Sequence, residues 1–65
     1  MRMNKEIALE IVNRCDNQSV RHILTMYSKS ECIAACRYVD RLVHVENDAR
    51  QRADKLYWKI ALYAE

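Results

Sequence analysis

The chain contains no glycine and no proline among its 65 residues. Tight β-hairpin turns depend on residues that adopt positive φ, as glycine does readily, and proline marks loops and strand edges. A chain without either residue has little means of making such turns. The two absences therefore predict an all-α protein, a small helical bundle with short connections.

Membrane and export signals are also missing. No apolar run approaches the ~20 residues of a membrane span. The first five residues are followed by alternating charge rather than by the apolar stretch of a secretory leader. The three cysteines make an odd number, which suits a reducing compartment better than a disulfide framework. We therefore expect a soluble, cytoplasmic protein that does not contact a membrane.

The overall charge predicts little about partners. Eleven Lys and Arg against nine Asp and Glu give a net charge of +2. That charge is too small to predict nucleic-acid binding from the overall field.

Residues 1–65 are enough for a single domain, and a domain this small buries only ~60% of the surface that its unfolded chain exposes. It is marginally stable without a cross-link or a partner.

The first part of the chain predicts two short helices, near residues 4–15 and 17–27. Asn4 is suited to cap the first helix, with Glu6 favourably placed in its first turn. The apolar face then rotates by ~130° across residues 16–19, which indicates a break. Asp16 could cap the second helix. One bent helix is the alternative.

A long third helix is predicted over residues 30–64. Ser28 and Glu31 have the spacing of a capping box at its start. Beyond them, residues on one seam recur at alternating steps of three and four, as in a heptad repeat. The seam consists of Cys32, Ala35, Val39, Leu42, Glu46, Ala49, Ala53, Leu56, Ile60 and Tyr63. The alternative is a break near residues 44–48, where Asn47 or Asp48 could cap a new helix.

An uninterrupted helix of this length would be ~50 Å long, far longer than a compact 65-residue core needs. We therefore expect a homodimer, parallel or antiparallel, in which a second copy covers the seam. The predicted dimer interface comprises Val39, Leu42, Glu46, Ala49, Ala53, Leu56 and Ile60. Glu46 would either pair with Arg50 one turn later or mark a locally solvated part of the seam.

The cysteines are the strongest candidates for chemistry. Cys32 and Cys36 share a helix face and could form half of a zinc site completed by Cys15, His22 or His44. Both positions are ordinary core positions, however, and no local histidine pairs with either thiol to activate it. We expect structural, reduced and metal-free thiols, no catalytic residues, no cofactor and no enzymatic activity.

Two surfaces of the long helix could bind a partner. A cationic stripe within a ~60° sector contains Arg37, Arg41, Arg52, Lys55 and Lys59. It could contact phosphates, but Asp40 and Asp48 lie in or beside the same sector, which favours a solvated face. Near the C-terminus the helix is apolar almost all round, at Tyr57, Trp58, Ala61, Leu62 and Tyr63. We expect this end to be buried in the dimer core, with a partner surface as the alternative.

Several short segments resemble the Hha/YmoA family of small enterobacterial gene-expression modulators. They are Arg14-Cys15, Ser28-x-x-Glu31, Arg37-x-x-Asp40 with Arg41-Leu42, and Lys55-Leu56-Tyr57-x-Lys59-Ile60. The resemblance implies an all-helical protein that docks through charged residues on the oligomerisation domain of a nucleoid silencer. Asp40 would then occupy the key acidic position of the family.

The segment 53–57, Ala-Asp-Lys-Leu-Tyr, is also similar to the second helix of the plasmid repressor-of-primer family, whose members are dimeric four-helix bundles that bind paired RNA loops.

The expected function is that of a non-enzymatic regulatory or adaptor protein that acts through protein contacts, in transcription or in a phage-host process. Its partner-binding residues would be Arg37, Asp40, Arg41 and Trp58. The alternative is a dimeric helical bundle that binds RNA or DNA. The small size would also suit a phage accessory protein.

Overall fold

The computed structural model describes residues 2–63, and within that range all regular structure is helical. The elements are α1 (Lys5–Asn13), a 3₁₀ turn (Arg14–Asp16), α2 (Val20–Met26), α3 (Lys29–Arg41) and α4 (Asn47–Ala61). The predicted all-α class is confirmed. Within the same range, no helix combines the length and the apolar character that crossing a bilayer requires.

Local capping fixes where three of the helices begin. The Ile7 N–H donates to Asn4 Oδ1 over 2.9 Å, which confirms Asn4 as the cap of α1. At α3 the Glu31 N–H donates to Ser28 Oγ over 3.1 Å, and the Ser28 N–H donates to Glu31 Oε1 over 3.0 Å. The predicted capping box is therefore present, and it satisfies two backbone donors that the helix itself leaves without a partner.

The start of the second helix differs from the prediction. It begins at Val20 and is capped by Ser19, whose Oγ accepts from the His22 N–H over 3.2 Å. Asp16 does not cap it, because a 3₁₀ turn continues α1 through that residue. The predicted break between the two short helices is correct, but it falls a few residues later in the chain.

The single long helix over residues 30–64 is wrong. The chain leaves the helix after Arg41, takes extended backbone angles at Leu42 and Glu46, and enters α4 at Asn47. The alternative break near residues 44–48 is what the structure contains. Neither candidate cap is used, since Glu46 holds the cap position and makes no side-chain capping bond there. Residue 64, the last of the predicted helix, lies outside the described residues.

The break lets the chain cover its own apolar seam. α4 folds back along α3, and α1 packs against both. The domain measures 34 × 23 × 18 Å with a radius of gyration of 10.6 Å, close to the ~10.7 Å expected for a compact chain of this length. A helix of ~50 Å would not fit within these dimensions.

The core consequently occupies the positions that were predicted to bind a second copy. Five of the seven predicted interface residues have 0–6% of their surface exposed within one chain: Val39, Ala49, Ala53, Leu56 and Ile60. Of the other two, Leu42 is half-buried and Glu46 is exposed. These five residues belong to one core cluster with buried residues of α1 and with Cys15 of the 3₁₀ turn, so within one chain this part of the seam is already covered.

Of the two alternatives for Glu46, the structure agrees with the locally solvated one, because Glu46 is exposed. Within residues 2–63 no ion pair joins it to Arg50. Instead the Arg50 guanidinium reaches back and donates to the Leu42 carbonyl oxygen. That carbonyl lies at the C-terminal end of α3, where backbone acceptors lack helical partners and a cation is favoured by the helix dipole. Arg50 thus ties the start of α4 to the end of α3.

Candidate partner-binding surface

Arg37 and Arg41 lie one turn apart on the outer face of α3, the side opposite the buried cysteines. Both are exposed, and they line an open groove of about 530 Å³. The N-terminal segment closes one side of this groove through Met3. We call it the α3 groove; its lining is Met3, Ser30, Ile33, Ala34, Arg37, Tyr38 and Arg41.

Asp40, the third predicted partner-binding residue on α3, points to a different neighbour. Its carboxyl group lies near that of Asp54 on α4. Partial burial raises the pKa of Asp40, the negative charge of Asp54 raises it further, and the positive charge of Arg50 opposes the change. Asp40 therefore lies close to α4 and does not line the α3 groove.

Trp58 is exposed on the outer face of α4. Its side chain has 63% of its surface exposed, and Leu62, one turn further on, has 79% exposed. The indole ring meets the Tyr57 ring edge to face, with centroids 5.9 Å apart. Only Tyr57 among these three packs against the chain's own core, and the expected burial of this region in a dimer core stays a prediction.

The cationic stripe is divided by the helix break. Arg37 and Arg41 remain on α3, whereas Arg52 is held by the 3₁₀ turn. Arg52 Nε lies 2.6 Å from Asp16 Oδ2, and its Nη1 donates to Asn13 Oδ1 over 3.2 Å.

The two remaining cations of the stripe, Lys55 and Lys59, belong to α4. Lys55 lies in a separate groove beside Asp16 and Asp48, whose carboxylates would repel phosphate. A single row of five cations, which the nucleic-acid alternative required, is therefore not formed.

The three cysteines lie inside the core, with at most 5% of any of them exposed. Burial raises the pKa of Cys32 to about 11 and that of Cys36 to about 12, with a smaller contribution from neighbouring negative charge. Burial also raises the pKa of Cys15, whose Sγ lies 3.6 Å from the Arg52 carbonyl oxygen. Protonated, enclosed thiols are poor nucleophiles and poor metal ligands. Among residues 2–63 no group of three or more His, Cys, Asp or Glu side chains could hold a metal ion.

Sequence reasoning missed the apolar half of the α3 groove. Ile33 and Tyr38 fall off the seam, but both lie on the same side of α3 as the arginines and could have been found from helical spacing. Met3 could not, because it reaches the groove only through the packing of α1 against α3.

No protein-family model, curated protein or solved structure matches this chain. The two resemblances drawn from short segments therefore stay predictions, and the function is argued from the surfaces described above.

Proposed function

We propose that the protein is a non-enzymatic regulatory or adaptor protein that acts by binding another protein. Trp58 supplies the apolar anchor of the binding surface, and Arg37, Asp40 and Arg41 supply charged contacts.

The observation that carries the proposal is the exposure of Trp58 together with Leu62. A tryptophan side chain can bury 150–250 Å² on packing, so leaving 63% of it in water forgoes a large apolar gain. Scattered apolar residues are normal on a protein surface, but these two are four residues apart and share one helix face. Tryptophan is also among the residues that contribute most to binding energy at protein interfaces.

A pull-down from nuclease-treated lysate of the source cells tests the proposal. We expect a specific protein to be retained by the parent, to survive nuclease treatment, and to be lost with Trp58→Ala. Met26→Ala is the matched control, because Met26 is also an exposed large apolar residue, 43% exposed, but lies on α2. Retention of nucleic acid alone, with every protein removed by nuclease, would contradict the proposal.

Fluorescence gives a direct second measurement, since Trp58 is the only tryptophan in the chain. Binding of the retained protein should shift the emission to shorter wavelength and protect it from acrylamide quenching, because the indole leaves water. An unchanged emission on saturation would show that the partner binds elsewhere.

A further inference from the structure

The α3 groove combines two features that a solvated helix face does not need. One is the pair of guanidinium groups of Arg37 and Arg41. The other is an apolar lining formed by Met3, Ile33 and Tyr38, of which each is only partly covered by the core. A ligand that suits the groove must carry negative charge and apolar surface together.

The two arginines are not neutralised by the chain itself. Within residues 2–63 the ion pairs are Arg14 with Glu10 and Arg52 with Asp16, so neither groove arginine takes part in one. The nearest carboxyl group in sequence, that of Asp40, forms no ion pair with either arginine and does not line the groove. The charge of the groove is therefore open to a partner.

The spacing of the arginines indicates the form of that partner. Residues four apart on a helix are separated by ~6 Å along its axis. Two carboxylates one turn apart on a second helix have the same separation, so each can meet one guanidinium. Apolar residues on the same face of that helix would then lie against Ile33 and Tyr38.

We propose that the α3 groove binds an acidic, amphipathic helical segment of a partner protein, with carboxylates one turn apart on Arg37 and Arg41. This inference rests on the proposed adaptor function and names the chemistry of one part of its partner. Nucleic acid fits the groove less well, because a phosphate backbone gains nothing from the apolar lining. Of the other three cations of the stripe, Arg52 and Lys55 lie in a separate groove beside carboxylates.

Binding of synthetic helical peptides, followed by fluorescence anisotropy, tests the inference. Each labelled peptide has about 14 residues, enough for ~4 helical turns, with Leu, Phe or Met at the apolar positions. One set carries Glu-x-x-x-Glu and the matched set carries Gln-x-x-x-Gln. The Glu set should bind the parent protein about tenfold more tightly, since charge-assisted hydrogen bonds are stronger than neutral ones.

Arg37→Glu should weaken binding of the Glu peptides by about tenfold, because it removes one attraction and adds a like-charge contact. Arg21→Glu makes the same change of charge on the exposed face of α2, outside the groove, and should change affinity less than about twofold. Circular dichroism of both variants establishes that the helices are retained. Equal weakening by the two variants, equal affinity for the Glu and Gln sets, or no binding of any Glu peptide would overturn the inference.

A duplex oligonucleotide serves as competitor in the same assay. Displacement of the peptide with an affinity that falls steeply with salt would assign the groove to nucleic acid instead. Trp58→Ala should leave peptide binding unchanged, because Trp58 does not line the groove. Loss of lysate protein with Trp58→Ala but not with Arg37→Glu would refute the groove inference and leave the adaptor function standing.

Discussion

Truncation of Leu56 tests whether the seam is an internal core. Leu56 is fully buried within one chain, at 0% exposure, where α4 faces α1 and α3. Replacing such a leucine by alanine removes buried methyl groups and leaves a cavity, at a cost of ~2–5 kcal/mol. A chain of this length has a total free energy of unfolding of ~3–10 kcal/mol. Leu56→Ala should therefore remove about a fifth of the stability or more.

Thermal unfolding followed by circular dichroism measures the effect. A loss of ~3 kcal/mol corresponds to a fall in Tm of roughly 12–24 °C for a domain of this size. Leu62→Ala is the matched control. It makes the same chemical change at the C-terminal end of α4, but Leu62 is 79% exposed. It should alter stability by less than ~0.5 kcal/mol.

The same experiment separates an internal core from a dimer interface. If the seam is covered within one chain, the Tm of the parent does not depend on protein concentration, whereas a dimer stabilised at the seam has a Tm that rises with concentration. A concentration-dependent Tm that Leu56→Ala abolishes, or equal losses for Leu56→Ala and Leu62→Ala, would refute the reasoning.

Two further changes probe the start of α3 and the thiols. Ser28→Ala should lower the free energy of unfolding, measured by chemical denaturation, by ~1 kcal/mol because the capping box is lost. Ser30→Ala is the control, because Ser30 is exposed in the same turn and makes no capping bond, and it should cost less. Equal costs would contradict the assignment of the cap. Stability should also fall as pH rises from about 9 towards 11, because the unfolded chain ionises its thiols near 9.0 while folding keeps Cys32 protonated up to about 11 and Cys36 up to about 12. Replacing both cysteines by Ala lowers stability through the cavity but should remove that part of the pH dependence, and an unchanged slope would show that the thiols do not cause it.

Of the candidate site, the sequence predicted the elements that depend on helical spacing. The exposure of Arg37 and Arg41 on one side of α3 follows from their separation of four residues and from the opposite position of the seam residues on the helix. The division of the cationic stripe could not be predicted. Arg52 pairs with Asp16, which is far from it in sequence, and only the folded chain brings the two side chains together. The proximity of Asp40 to Asp54 could not be predicted for the same reason.

By itself, the sequence determined the helical class and the caps. These depend on residues within one turn of each other, as at Asn4 and at Ser28 with Glu31, so local chemistry is sufficient. It also determined which residues share the buried face. Buried residues of the seam on both sides of the break, in α3 and in α4, belong to one core.

Only the tertiary structure decided what covers that face. A stripe of alternating three- and four-residue steps can be buried equally by a second copy or by the chain turning back on itself. Residues 43–45, Val-His-Val, have low helix propensity, and breaking the helix there costs little. Turning back buries Leu56 and Ile60 against the chain's own helices, which is worth ~1.5–3 kcal/mol for each side chain. That gain comes from contacts distant in sequence, and for this reason the local pattern did not reveal it.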